Sequence, residues 1–155
     1  MLINLDDRRI YFDLMGAEDG PVVCFAHSLS SDSGMWAEQM PELLADGFRV
    51  LRLDMRGHGG SDPVAGDYTM TALADDVRTS LDALGLAKVH FIGLSIGGKL
   101  GQAFAIHHPD HVASLMLCDT MPATPEGAEN AWGPRLDAVR KANSVAPLAD
   151  GTMER

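Results

Sequence analysis

Residues 89–98 read Val-His-Phe-Ile-Gly-Leu-Ser-Ile-Gly-Gly, an apolar strand pattern running into Gly93-Leu94-Ser95-Ile96-Gly97 with a helical pattern directly behind it. A G-x-S-x-G turn set between strand and helix is the nucleophile-elbow arrangement, and the flanking context gives the five residues their meaning. Such a turn is so tight that its central residue is driven into a strained backbone region, where side chains two positions to either side collide. Glycine at 93 and 97 removes those Cβ atoms, and Gly98 lets the helix lie close to a neighbouring strand. The expected product is a Ser95 hydroxyl held above a sheet at the positive end of a helix, placed to attack a carbonyl carbon. A glycine-rich turn with an incidental serine is the competing reading, and it leaves the flanking pattern unexplained.

Attack on a carbonyl needs donors aimed at the developing oxyanion, and losing one typically costs about 2.7–4 kcal/mol of barrier. The residue after the nucleophile, Ile96, offers its backbone N–H. The second donor is expected from the loop His27-Ser28-Leu29-Ser30 after the third strand, through the N–H of Leu29. Nothing in this chemistry calls for a cofactor. His58 is a candidate base, although its loop reads more simply as a structured turn. His107, His108, Asp110 and His111 have a metal-like composition. They straddle Pro109 at a helix end, where histidines suit the dipole, and match no standard zinc spacing. Asp119, at a strand's C-terminal end, is a candidate auxiliary acid or an ordinary loop cap. Trp132 and Met121 are candidates for a pocket roof or for packing.

The rest of the chain alternates strand and helix. Strand patterns cover 2–5, 9–14, 21–26, 48–53, 89–92 and 112–118; helical periodicity covers 35–46, 69–84, 96–107 and 135–146. Thr69 or Thr71 can cap the second helix, and Gly47 and Gly85 suit helix ends. Regular alternation of this kind predicts a mostly parallel, doubly wound α/β sheet. The continuous apolar run 112–118 reads as a strand covered on both faces. From 122 to 134 the texture shifts to prolines and glycines, so residues 1–121 are expected to form the core and 122–155 the start of a helical lid. Twelve basic against 22 acidic side chains give a net charge of −10, which repels phosphate backbones and excludes nucleic acid as an expected partner. Apolar runs are only strand-length, and charged Asp6, Asp7, Arg8 and Arg9 stand near the start, so no membrane span and a cytoplasmic location are expected. Cys24 and Cys118 fall in strands expected to be buried, as small hydrophobes.

These residues together resemble the α/β-hydrolase superfamily, and within it the 3-oxoadipate enol-lactonase group of aromatic-acid catabolism. The resemblance is carried by residues 26–36 (Ala-His-Ser-Leu-Ser-Ser-Asp-Ser-Gly-Met-Trp), by the Arg56-Gly57-His58-Gly59-Gly60-Ser61 turn, by the elbow, and by Leu117-Cys118-Asp119-Thr120. Position 28 holds serine where glycine is commonest in the wider superfamily. The resemblance implies a small-molecule ester or lactone substrate and acyl transfer to water. It also implies that the elbow strand separates Cys24 from Cys118 by about two strand spacings, roughly 9–10 Å, beyond disulfide reach. Serine at the elbow argues against the dehalogenase and epoxide-hydrolase branches, which use aspartate there.

Members of the family continue with more lid, two further strands, an acid and a histidine base, and none of the six histidines here stands at the family's base position. The sequence is therefore expected to be the N-terminal portion of the fold, inactive alone and completed by a second polypeptide bearing the acid and base. Its open sheet edge at 112–118 would be an association site. Other readings are a general carboxylesterase, a carbon–carbon bond hydrolase, and, in a different class, a non-catalytic binding module on the hydrolase fold.

Overall fold

Strand β3 (Val22–Ala26) is apolar at every position and buried at every position, which fixes it at the centre of the sheet with both faces covered. The computed structural model describes residues 1–149, and around β3 it arranges β1 (Leu2–Asn4), β2 (Arg9–Met15), β4 (Arg49–Leu53), β5 (Val89–Leu94) and β6 (Val112–Cys118). Their order is β1-β2-β4-β3-β5-β6. β4, β3, β5 and β6 are parallel, whereas β1 and β2 form an antiparallel hairpin whose second strand pairs antiparallel with β4. This is the mostly parallel α/β sheet that the alternation predicts.

Two apolar layers sandwich the sheet. On one face Cys24, Ala26, Leu51, Leu53 and Phe91 meet α2 (Met70–Ala83) through Leu73, Val77 and Leu81, and α3 (Ile96–His107) through Leu100 and Phe104. On the other, Val23, Phe25 and Val50 meet Trp36 and Met40, with Leu43 and Leu44 of α1 (Met40–Ala45) packed against them. Alternate residues of β3 thus serve opposite layers, as the two-residue period of a strand requires. Thr69 caps α2, its Oγ1 accepting from the Ala72 N–H at 3.1 Å.

Three local expectations are corrected. The helix expected over 35–46 is two pieces, a 3-10 turn at Ser33–Trp36 and α1. Pro41 has no N–H to continue a helix from the preceding turn, but it suits the start of a new one. The final helix, α4 (Ala128–Ala142), begins seven residues before the expected 135 and runs through Pro134. Its first turn, 128–131, propagates while the proline forgoes one helical hydrogen bond. Finally, β6 is not covered on both faces: Met116 is 57% and Leu117 43% exposed, and Cys118 is only half-buried. β6 lies at the sheet edge, with α3 packed against it.

The chain divides into two compact units, Met1–Pro122 with the whole sheet, and a second beginning at Ala123 that contains α4 and a 3-10 turn at Ala146–Leu148. Among the described residues no helix is long and apolar enough to cross a membrane.

Candidate active site

β5 delivers its last residue, Leu94, beside Cys118 of β6, and Gly93 beside Ala26 of β3. The chain then reverses into α3 at Ser95, whose φ of 54° and ψ of −113° lie outside the regions that an ordinary L-residue occupies. The surroundings over-determine that strain. The Ser95 N–H donates to Cys118 O at 2.9 Å, Ser95 O accepts from the Lys99 N–H at 3.1 Å, and it also accepts from Thr120 Oγ1 at 2.8 Å. The glycines are required by close approach. A Cβ at 93 would stand 2.2 Å from Gly97 O, and one at 98 would meet the Thr120 side chain at 2.6 Å. A Cβ at 97 would stand 2.3 Å from Ala26 O and 2.7 Å from His27 O. Gly97 therefore accommodates the end of β3 rather than relieving the elbow itself. The same close approach presses the first turn of α3 against the start of the 27–36 loop.

The candidate donors lie on the two sides of that contact. Among the described residues no acceptor binds the N–H of Ile96 or that of Leu29. Leu29 is oriented by its neighbours. The Met55 N–H donates to His27 Nε2 at 2.9 Å, so the ring hydrogen sits on Nδ1, which donates to Ser28 O at 2.8 Å. Burial holds the His27 ring below its ordinary pKa, against the opposing pull of the Ser28 carbonyl, and favours the neutral form. In a trans peptide C=O and N–H point in opposite directions. With Ser28 O drawn onto the buried imidazole, the Leu29 N–H faces away from it.

Asp54 ties this loop to the next. Its Oδ1 accepts from the Ser33 N–H at 2.7 Å and its Oδ2 from the Gly60 N–H at 2.8 Å. Behind it, Arg56 donates twice to buried Asp76, at 2.6 and 2.7 Å, and Arg8 is a second partner, its Nε donating at 2.9 Å. The rim above the C-terminal strand ends is thus a braced surface carrying a serine on a strained backbone and two unengaged N–H groups. Such a surface has the components to bind a carbonyl group and attack it.

Among the described residues each of the six histidines is engaged elsewhere, and none hydrogen-bonds to Ser95. His27 spans Ser28 and Met55, and His58 Nδ1 lies 3.3 Å from Arg56 O, consistent with a structured turn. His90 pairs with Ser114 Oγ at 2.9 Å. His107, His108 and His111 reach across to α2, to Thr71, Asp75 and Asp82 at 3.3, 2.9 and 3.4 Å. These last contacts account for the histidine-rich segment 107–111; among the described residues no group of three or more His, Cys, Asp and Glu is arranged to hold a metal ion. Asp119 is exposed with φ of 42°, and among the described residues no hydrogen bond makes it a loop cap. Trp132 is largely exposed beneath the Arg135 guanidinium, 5.3 Å from the ring centre. Met121 is exposed, its carbonyl accepting from Gln102 at 3.4 Å. β5 does stand between Cys24 and Cys118, and both cysteines are free. The bracing roles of Thr120, Asp54 and His27 have no local sequence signature, since each depends on a partner 21 to 28 residues away.

Comparison with known proteins agrees with this architecture. A family model described as alpha/beta hydrolase fold matches residues 21–143. A 3-oxoadipate enol-lactonase of Acinetobacter baylyi is 34% identical over 155 residues, covering 100% of this chain and 56% of its own length. The enol-lactonase structure from Burkholderia xenovorans superposes with a TM-score of 0.89 at 32% identity, over 100% of this chain and 59% of that one. The bifunctional epoxide hydrolase 2 of Rattus norvegicus is 36% identical over 122 residues, 76% of this chain and 22% of that protein. The chain therefore spans a little over half the length of its enol-lactonase relatives.

Proposed function

The chain belongs to the alpha/beta hydrolase fold family, and on that premise we propose that it carries the nucleophile and oxyanion donors of a serine hydrolase acting on carboxylic esters or enol-lactones. Ser95 Oγ adds to the carbonyl carbon while its proton passes to a base. The oxyanion formed on the carbonyl oxygen is held by the N–H groups of Leu29 and Ile96. The carbon–oxygen bond to the leaving group then breaks, and the departing oxygen takes the proton from the base. Water repeats the sequence on the acyl-serine, releasing the carboxylic acid and restoring Ser95.

The observation that carries this reading is the backbone of Ser95, strained at φ 54° between a strand and a helix, with the unengaged Ile96 N–H directly after it. Strain of this kind persists where function needs it. The base and its acid partner are assigned to a complementary C-terminal segment, on this polypeptide or on a second one. An enol-lactone is preferred as substrate because two relatives named for that activity match along the whole chain.

Steady-state hydrolysis of an enol-lactone beside a simple aryl ester, by the wild type and by Ser95→Ala, tests the proposal. The lactonase reading requires a kcat/KM higher for the lactone by about tenfold or more, and loss of both activities in the variant. Comparable values for the two substrates point to a general carboxylesterase. The full engagement of all six histidines also suits a non-catalytic binding module, and that reading wins if the wild type at its native length, with the complementary segment present, binds the lactone without turning it over.

A further inference from the structure

The loop between β3 and the 3-10 turn at Ser33–Trp36 offers two successive backbone donors near the elbow, the N–H of Ser28 and that of Leu29. Only one is free. The Ser28 N–H donates to Met35 Sδ at 3.3 Å. We infer that Met35 is a positioning residue for the oxyanion loop, its thioether holding the 27–28 peptide so that Leu29, and not Ser28, presents its N–H to the carbonyl oxygen. This inference rests on the serine-hydrolase reading and deepens it.

The argument is one of two clamps on neighbouring peptides. His27 Nδ1 fixes the 28–29 peptide by its carbonyl, and Met35 Sδ fixes the 27–28 peptide by its N–H. With either clamp released, the loop has a rotation available that turns the wrong donor inward. The sulfur sits on a firm base. The Met35 N–H donates to Asp32 O at 3.2 Å, the Gly34 N–H to Asp32 Oδ1 at 2.7 Å, and the Ser33 N–H to Asp54 Oδ1 at 2.7 Å. Arg52 meets Ser33 O at 3.1 Å, and Met35 packs against the layer of Val23, Phe25 and Trp36. The loop itself carries a strained residue, Ser30 at φ 61°, directly beyond Leu29, so it does not hold its shape without such restraints. A thioether is a weak acceptor. A weak acceptor suffices to occupy one N–H while its flexible chain fills the space around it.

Two substitutions separate positioning from packing. Met35→Leu keeps an apolar side chain of similar volume and removes the acceptor; Met35→Gln keeps the length and restores an acceptor oxygen. Losing an oxyanion donor outright costs about 10²–10³ in kcat, so losing one of two restraints on it is expected to lower kcat by about tenfold in the Leu variant. KM is expected to stay within about twofold, because the loss falls on the transition state. Gln is expected to recover kcat to within about threefold of wild type. A packing role predicts the reverse order, with Leu near wild type and Gln worse, and that result overturns the inference. Fluorophosphonate labelling of the wild type at Ser95 is read in parallel. Without it the hydrolase reading fails, and the Ser28 amide decides whether the clamp exists. Hydrogen exchange at Ser28 at least about tenfold faster in Met35→Leu, with Gly34 unchanged, supports the clamp; equal Ser28 rates refute it.

Discussion

Replacing Gly97 by alanine adds a single methyl group where the structure has no room for one. The new Cβ would stand 2.3 Å from Ala26 O, 2.7 Å from Ala26 C and 2.7 Å from His27 O, against ordinary contact at 3.4–4 Å. All three neighbours are backbone atoms, so no rotamer change relieves the clash. The gap has to open by about an ångström, either by lifting the first turn of α3 or by pushing the end of β3 outward. Lifting α3 strains the bonds from the Ser95 N–H to Cys118 O and from Thr120 Oγ1 to Ser95 O. Each is worth about 1 kcal/mol net. Overpacking of this kind costs about 1–3 kcal/mol, and two weakened bonds put Gly97→Ala in the upper half of that range. With a urea m-value of about 1–3 kcal/mol/M, the midpoint falls by about 1 M with m unchanged. A control is Gly133→Ala in α4, where nothing lies within 4 Å of the added carbon; there the gain in helix propensity is about 0.5–1 kcal/mol. Displacement of the serine by an ångström also slows acylation by about 10²-fold. Urea unfolding followed by circular dichroism reads the first effect, and the rate of fluorophosphonate labelling reads the second. If Gly97→Ala unfolds within about 0.5 kcal/mol of wild type, the tight approach of α3 to β3 is not real and the geometry built on it fails.

Other outcomes follow from the bracing and the buried groups. Asp76→Ala leaves Arg56 buried without its carboxylate partner and is expected to cost about 3–5 kcal/mol in the same unfolding assay; a loss under about 1 kcal/mol contradicts the assigned role. His27, held below the ordinary value of 6.5 by burial, binds a proton more readily when unfolded. Its share of stability is therefore complete above 6.5 and declines as the pH falls from there toward its folded value. The acid-side slope of stability against pH between 6.5 and 5 is expected to shrink in His27→Gln, and an unchanged slope refutes the assignment. Burial pushes the Cys24 thiol up to about 12, so an alkylating reagent at neutral pH is expected to modify half-buried Cys118 first, as peptide mapping will read.

Much of the fold was legible because its signals are local. The uninterrupted Val22–Ala26 run marks a central strand, Leu73, Val77 and Leu81 mark the buried face of α2, and the glycines at 93, 97 and 98 mark a turn where Cβ atoms have no space. Sequence and structure differ where one residue decides between neighbouring structures. Pro41 starts a helix that periodicity alone extends backward, and Pro134 is tolerated inside a helix whose start the sequence pattern places after it. The apolar composition of β6 signalled burial on both faces, but Met116 and Leu117 stand exposed. Within the site, Ser95 and Ile96 are legible as candidates because the elbow sets them side by side, and Leu29 is a candidate only through the loop that follows β3. Their supports are not legible. The grip of His27 on the loop depends on the Met55 N–H, the bond of Thr120 to Ser95 O on the register of β6 against β5, and the neutral tautomer of His27 on a fold that brings these segments together.

The most direct measurement is the mass of the adduct formed with a fluorophosphonate probe on the protein at its native length, mapped to a single residue. One equivalent bound at Ser95, abolished by Ser95→Ala and slowed by excess enol-lactone, is the predicted result. Turnover of ester or lactone that survives Ser95→Ala, or an adduct on another serine, contradicts it.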